Sequence, residues 1–353
     1  MSKTKIMHFR KASVERTNHH FIFGDKAVAY GENYRYLGME FNETLDYSHS
    51  VDILSGASGR ALGALISRYY ATNGLHYNTY SKLYSNLVEP VMDYVAAIWG
   101  YKAYNVNNTV QHRAMRCFLG VGKYTAIPAL YGELGWKTPQ MRHHLDMVRY
   151  FVRLVNMDKS RLTYKVFRWD YDRPRSGTWC HEIKSILSRC DLLEYYETLS
   201  VQRHVNITAK AGQKLVIEQK TLWDVSRIMP KLINYNKIKL AFAKPTYVLQ
   251  RLTRQERSAL ARFYCGNLPL KVETGRYRSI PREQRLCTRC NVVEDEMHFL
   301  VECEQHTESR AVLLHNINTN GLTIDDNFKQ MCANISPKSL ATFIINALIV
   351  RRN

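Results

Sequence analysis

The hydrophobic pattern changes period near residue 50. Before it, residues 5–10, 21–23 and 27–30 are short β-prone runs, and Phe23-Gly24-Asp25-Lys26 supplies turn residues between two of them. Residues 34–41 alternate as one further strand, with Tyr34, Tyr36 and Gly38 on one side. After it, Ala61, Leu62, Leu65 and Ile66 recur at helical spacing. Leu83, Leu87, Val91, Tyr94, Val95 and Ile98 do the same, with Pro90 kinking that helix or starting its last part. Val110, Ala114, Phe118 and Leu119 mark a third helix, ended by Gly120 and Gly122.

A fourth helix runs over residues 139–157 with Leu145, Val148, Val152 and Val155 inward. Arg142, His143, His144, Arg149 and Arg153 fall on its other faces and read as a solvated side. Residues 158–250 stay helical, interrupted at 172–177, Pro230 and Pro245. Thr253-Arg-Gln-Glu256 fits a capping box that opens another helix. The expected fold class is mainly α, with a β region at the N-terminus.

Composition adds one outlying number. The 353 residues carry 50 Lys and Arg against 31 Asp and Glu, a formal +19. Such a field favours polyanions, nucleic acid before anionic membrane, although a basic protein without that role is the plainer alternative. Residues 1–10 have no apolar signal core. The run 340–350 is shorter than the ~20 residues a spanning helix needs. It reads as a buried helix closed by Arg351 and Arg352. Of eight cysteines, Cys117, Cys180, Cys190 and Cys265 stand singly, which does not suit a secreted disulfide framework. The expected location is intracellular, cytoplasmic or nuclear, with no membrane partner.

The sharpest local signal is Cys287-Thr-Arg-Cys290, then His298, then Cys303. Thiolates and imidazole suit Zn2+, and four protein ligands leave no open position, so the metal is expected to be structural. Unbound thiols or a redox pair are the alternative. His298 and Cys303 are five apart, which a regular α-helix does not place on one side. His306 is the substitute ligand. Around this site residues 251–290 hold ten Lys and Arg against three acids, and residues 291–310 hold six acids against Arg310. That contrast suggests a basic phosphate-facing ribbon with acids on its far side, or acids that favour a helix start near Glu296.

Several segments together resemble the C-terminal part of LINE-type non-LTR retrotransposon reverse transcriptases. Lys3-Thr-Lys5-Ile-Met-His-Phe9 and Tyr34-Arg-Tyr-Leu-Gly38-Met-Glu-Phe41 resemble the end of the palm and the primer-grip hairpin. Val88-Glu-Pro90-Val-Met-Asp-Tyr94, Trp99-Gly100 and Arg113-Ala-Met-Arg116-Cys-Phe-Leu-Gly120 look like thumb helices, with Tyr131-Gly-Glu-Leu-Gly-Trp136 after them. Glu273-Thr-Gly275-Arg276-Tyr277, Arg285-x-Cys287 and Glu294-Asp-Glu-Met-His298-Phe-Leu300 resemble the terminal zinc knuckle. The ordered series is specific; no single motif is.

The resemblance implies a palm remnant over 1–48, a helical thumb over 49–157, a connector over 158–250, a basic segment with the knuckle over 251–310, and terminal helices over 311–353. It implies RNA or DNA as partner, gripped by Tyr34, Tyr36, Leu37 and Gly38, by Arg60, Arg68, Arg113 and Arg116, and near the knuckle by Arg276, Arg278 and Arg289. Plain strand packing is the alternative for the tyrosines. The family's paired metal-binding aspartates precede the segment that begins here at Lys3. No Mg2+ and no polymerisation are therefore expected of this chain. Asp325-Asp326 reads as a decoy in a loop-like stretch. Gly120-Val-Gly122-Lys123-Tyr124 misses a P-loop, and His181-Glu182 lacks its second His. The alternative function is a zinc-stabilised helical interaction protein without nucleic acid.

Overall fold

Residues 4–202, 205–315 and 321–351 are described in a computed structural model, and among them four short strands precede eighteen α-helices. Lys3 and Arg352 lie outside the described residues. The chain divides into two units interleaved in sequence. Met1–Leu62, Ser85–Val110 and Thr138–Leu215 form the first, and Gly63–Tyr84, Gln111–Lys137 and Val216–Asn353 the second.

In the first unit, Phe21–Phe23 pairs antiparallel with Lys26–Val28 across Gly24, whose φ of 60° suits glycine. Residues 5–10 form no strand; Ile6 alone bridges to Tyr30. Alternation over 34–41 suggests one strand whereas the resemblance implies a hairpin, and a hairpin is present, Asn33–Tyr36 against Met39–Asn42, with Tyr34 opposite Phe41. Leu37 and Gly38 form its turn with φ of 48° and 86°, the left-handed pair that matches strand twist. Gly38 therefore sits at the tip and not on a strand face.

The stretch expected as one kinked helix around Pro90 breaks into Tyr77–Leu87, Glu89–Met92 and Ala96–Trp99. Its buried positions are Tyr80, Tyr84, Val88, Met92, Ala96 and Trp99, while Leu87, Tyr94 and Val95 are exposed. The buried set has the same helical spacing as the expected one, shifted by one face. Tyrosine takes the inner positions because its hydroxyl finds an acceptor there: Tyr80 donates to the Ala114 carbonyl at 2.9 Å, within the second unit.

The Pro139–Val155 helix starts where Thr138 accepts from the Met141 N–H. Leu145 and Val148 are buried as expected, joined by Met147, Phe151 and Leu154, whereas Val152 and Val155 are only partly covered. Its cationic side is not solvated throughout. His143 and His144 are buried. Arg142 reaches Asp93 at 2.7 Å and Glu89 at 3.1 Å, and His143 Nε2 lies 2.9 Å from Asp93. Burial opposes the charge on Asp93, yet the His143 and Arg142 hydrogen bonds hold its carboxyl below the usual range.

In the second unit the Thr253–Glu256 capping box is present, opening the Arg254–Tyr264 helix. Arg257, one of the ten cations of the basic stretch, is buried against this unit. It donates to the Phe118 and Leu75 carbonyls and to the Tyr69 hydroxyl, with its guanidinium 4.2 Å from the Phe118 ring centroid. Asp325 and Asp326 are not in a loop. Thr323 caps the Ile324–Asn334 helix, and both acids occupy its first turn, where negative charge is favoured. Lys237 and Lys329 each pair with Asp325 at 2.5 Å. No single helix among the described residues is long and apolar enough to cross a membrane.

Candidate metal centre

Local backbone chemistry brings the four ligands together. Leu286 and Val293 form an antiparallel bridge. Inside it the Cys287 N–H donates to Val292, and Asn291 turns the chain with φ of 55°. Asp295 then accepts from the Met297 and His298 N–H groups, starting a helical turn at the third ligand. That turn is a π-helix over His298–Glu302, so the Cys303 N–H donates to the His298 carbonyl at 2.9 Å. The wider turn removes the difficulty of the five-residue spacing, because i and i+5 share one side when the ladder is i→i+5.

One ligand atom from each of Cys287, Cys290, His298 and Cys303 lies within 4.8 Å of all the others. Tetrahedral bonds of ~2.0–2.3 Å place ligands ~3.3–3.8 Å apart, so small side-chain adjustments close the shell. This cluster can hold a metal ion. Both ring nitrogens of His298 are buried without a hydrogen-bond partner, and the Glu302 carboxylate stands 3.7 Å from Nδ1. A carboxylate beside one nitrogen suits an imidazole that gives its other nitrogen to a metal. Burial, with the Cys287 and Cys290 sulfurs adding to it, pushes the Cys303 thiol up to about 12. Three crowded sulfurs are costly as thiolates unless a cation sits among them. His306 is not part of the cluster. Its ring packs on Phe299 and Phe343 at 4.9 and 6.2 Å, and burial lowers its pKa.

Half of the six acids beside the centre belong to no outer face, while Glu302, Glu304 and Glu308 are exposed. Glu294, Asp295 and Glu296 are all buried. Glu294 accepts from Arg351 at 2.7 and 2.8 Å and from the Lys271 N–H at 2.6 Å. Asp295 pairs with Arg282 at 2.6 Å, and Glu296 accepts from Asn234 at 3.0 Å. Burial raises the Glu296 carboxyl to about 7. Arg351 thus serves Glu294 besides closing its helix. The basic stretch is depleted in the same way: Arg285 donates to the Ile280 and Val272 carbonyls, and Arg276 lies 3.5 Å from Glu273.

Among the remaining candidates, Tyr34 to Gly38 and Arg60 belong to the first unit, and Arg68, Arg113, Arg116, Arg276, Arg278 and Arg289 to the second. Tyr34, Tyr36 and Leu37 are exposed, Leu37 most of all at 76%. Tyr94 donates to the Leu37 carbonyl at 2.7 Å and packs its ring against Gly38. Arg60, Arg68, Arg113, Arg278 and Arg289 are exposed, and Arg116 is half-buried. Sequence reasoning missed Arg310, which donates to the Cys303 carbonyl at 2.6 Å and to the Leu300 carbonyl at 2.8 Å, fixing the turn that carries the last ligand. Nothing in its spacing announces that role. No family model matches this chain, and no curated protein or solved structure matches it either.

Proposed function

We propose that this chain binds nucleic acid, holding a template–primer as the resembling part of a LINE-type reverse transcriptase would, with a structural Zn2+ on Cys287, Cys290, His298 and Cys303. The observation that carries the reading is the charge left over after internal pairing. Arg60, Arg68, Arg113 and Arg278 are exposed and make no ion pair among the described residues, in a chain of formal charge +19. Solvated cations without partners neutralise phosphates well and release counterions in doing so. The soft donor set of three Cys and one His favours zinc over Mg2+ or Ca2+. When bound, the ion would hold the knuckle together and leave no coordination site for water.

Fluorescence anisotropy of labelled RNA and DNA oligonucleotides across a salt series tests this. The expected log–log slope is about −0.7 to −0.9 for each phosphate contacted. A slope near zero, or no binding at low salt, would reject the reading. One feature favours the interaction-protein alternative: Leu162, Val166 and Trp169 form an exposed apolar stripe on the Leu162–Tyr171 helix.

A further inference from the structure

In the second unit, the last turns of the Asn105–Leu119 helix face the Arg254–Tyr264 helix across a cleft of about 720 Å3. Gly120 makes the approach possible. Ser258 Oγ and Arg262 Nε both donate to its carbonyl, at 2.7 and 2.9 Å. A Cβ at Gly120 would fall 2.7 Å from Ser258, and its φ is 66°. Glycine alone meets both demands.

Four guanidinium groups line the cleft, those of Arg113, Arg116, Arg254 and Arg262, and no Asp or Glu does. None of the four makes an ion pair among the described residues. The Arg116 Nε is enclosed and has no hydrogen-bond partner. Burial works against the charge on that side chain, a cost an incoming anion would relieve. The Arg254 guanidinium lies 4.8 Å from the centre of the Tyr70 ring. Ile345, Leu348 and Ile349 supply an apolar wall from the Pro337–Val350 helix.

Like charges converging on a half-open cleft without a counter-charge in its lining favour an anion. Guanidinium forks match phosphate oxygens in pairs, which a ring of lysines would not. The size is that of a small-ligand pocket, not of a duplex-long groove. An aromatic ring and an aliphatic wall beside the cations suit a base or sugar next to the phosphate.

We infer that this cleft is a phosphate site that takes one or two nucleotide units, either from a single strand or as a free nucleotide. The inference rests on the nucleic-acid reading above but goes beyond it, because it names one pocket and adds Arg254 and Arg262 to the binding residues.

The test compares the full chain with an Arg113→Gln/Arg254→Gln variant, both positions being exposed, and with an Arg149→Gln control in the first unit. Circular dichroism melts and zinc content establish that each is folded. The probes are a labelled single strand of about 20 nucleotides, AMP and inorganic phosphate. The expected result is about ten-fold or greater loss of strand affinity in the double variant, with the salt slope reduced by roughly 1.4 and little change in the control. If the parent binds the strand and the double variant binds it with equal affinity and slope, the cleft inference fails and the broader function stands. If the parent ignores the strand but binds AMP or phosphate in a way the variant loses, the phosphate site stands and the broader function falls. Binding of none of the probes by the parent overturns both.

Discussion

The Cys303 N–H donates to the carbonyl of His298, five residues earlier, at 2.9 Å. This one bond decides whether the last two ligands of the centre can meet, because it belongs to a π-turn and not to an α-helical one. The metal site therefore depends on backbone geometry as much as on ligand identity.

The first prediction separates the ligand histidine from the core histidine. Elemental analysis should find about one zinc per chain in the parent and in His306→Gln, and little in His298→Gln or Cys287→Ser. Because metal binding and folding are coupled, Cys287→Ser should also lose amide protection over residues 270–310 by hydrogen exchange. It should leave the Pro139–Val155 helix protected. Equal zinc in His298→Gln and the parent would remove that residue from the centre.

The second concerns a cation that is not available to phosphate. Arg257→Lys cannot reproduce three hydrogen bonds made from one planar fork; the Leu75 carbonyl loses this donor, and the Phe118 carbonyl keeps only the Tyr69 hydroxyl. A loss of about 2–3 kcal/mol in urea unfolding is expected. The salt dependence of oligonucleotide binding should not change at temperatures where the variant is folded. A reduced slope there would mean that Arg257 touches the ligand.

The third is a pH effect in the first unit. Burial pulls His144 down to about 4, with Arg189 and His143 adding to it and the Tyr101 backbone opposing it. An unfolded histidine titrates near ~6.5, so the unfolded chain binds more protons between the two values. This contribution is complete above about pH 6.5 and is lost as pH falls toward about 4. His144→Gln should flatten the stability-against-pH curve in that window by about 1.4 kcal/mol per pH unit. Parallel curves for the two proteins would contradict the buried neutral state.

The fourth addresses the hairpin tip. A leucine at φ 48° that is 76% exposed is strained and offers its side chain to solvent. Leu37→Asn should stabilise the hairpin by about 1 kcal/mol, read as slower amide exchange over residues 33–42. If Leu37 belongs to a strand grip, oligonucleotide affinity should fall while the hairpin becomes firmer. Unchanged affinity would leave it as a turn residue only.

What the sequence made legible was local. The Cys-x2-Cys turn, the Thr253 capping box and the Gly24 turn each rest on residues a few positions apart, and all three are present. What it hid depends on distant partners. Glu294 looked like surface charge, but its arginine lies 57 positions later. His143 looked solvated because Asp93 is 50 positions earlier. The buried face over residues 80–99 was displaced because two stripes share one spacing, and the choice falls to the tyrosine hydroxyls and their acceptors. The hairpin over 33–42 is visible through the resemblance and not through the alternation, because a two-residue turn keeps the alternation intact and leucine gives no turn signal.

The interleaving of the two units bears on the order of events during synthesis. Every stretch of the first has been made once residue 215 is added, whereas the second still needs the chain from Val216 onward. Residues 63–84 and 111–137 can meet each other earlier, through Tyr69, Tyr77, Tyr80 and Phe118, but the faces that pack on later residues must wait while their neighbours in the chain can already close. A nascent chain of this kind is exposed to chaperone capture at those two segments, and no one cut through the backbone can release either unit whole.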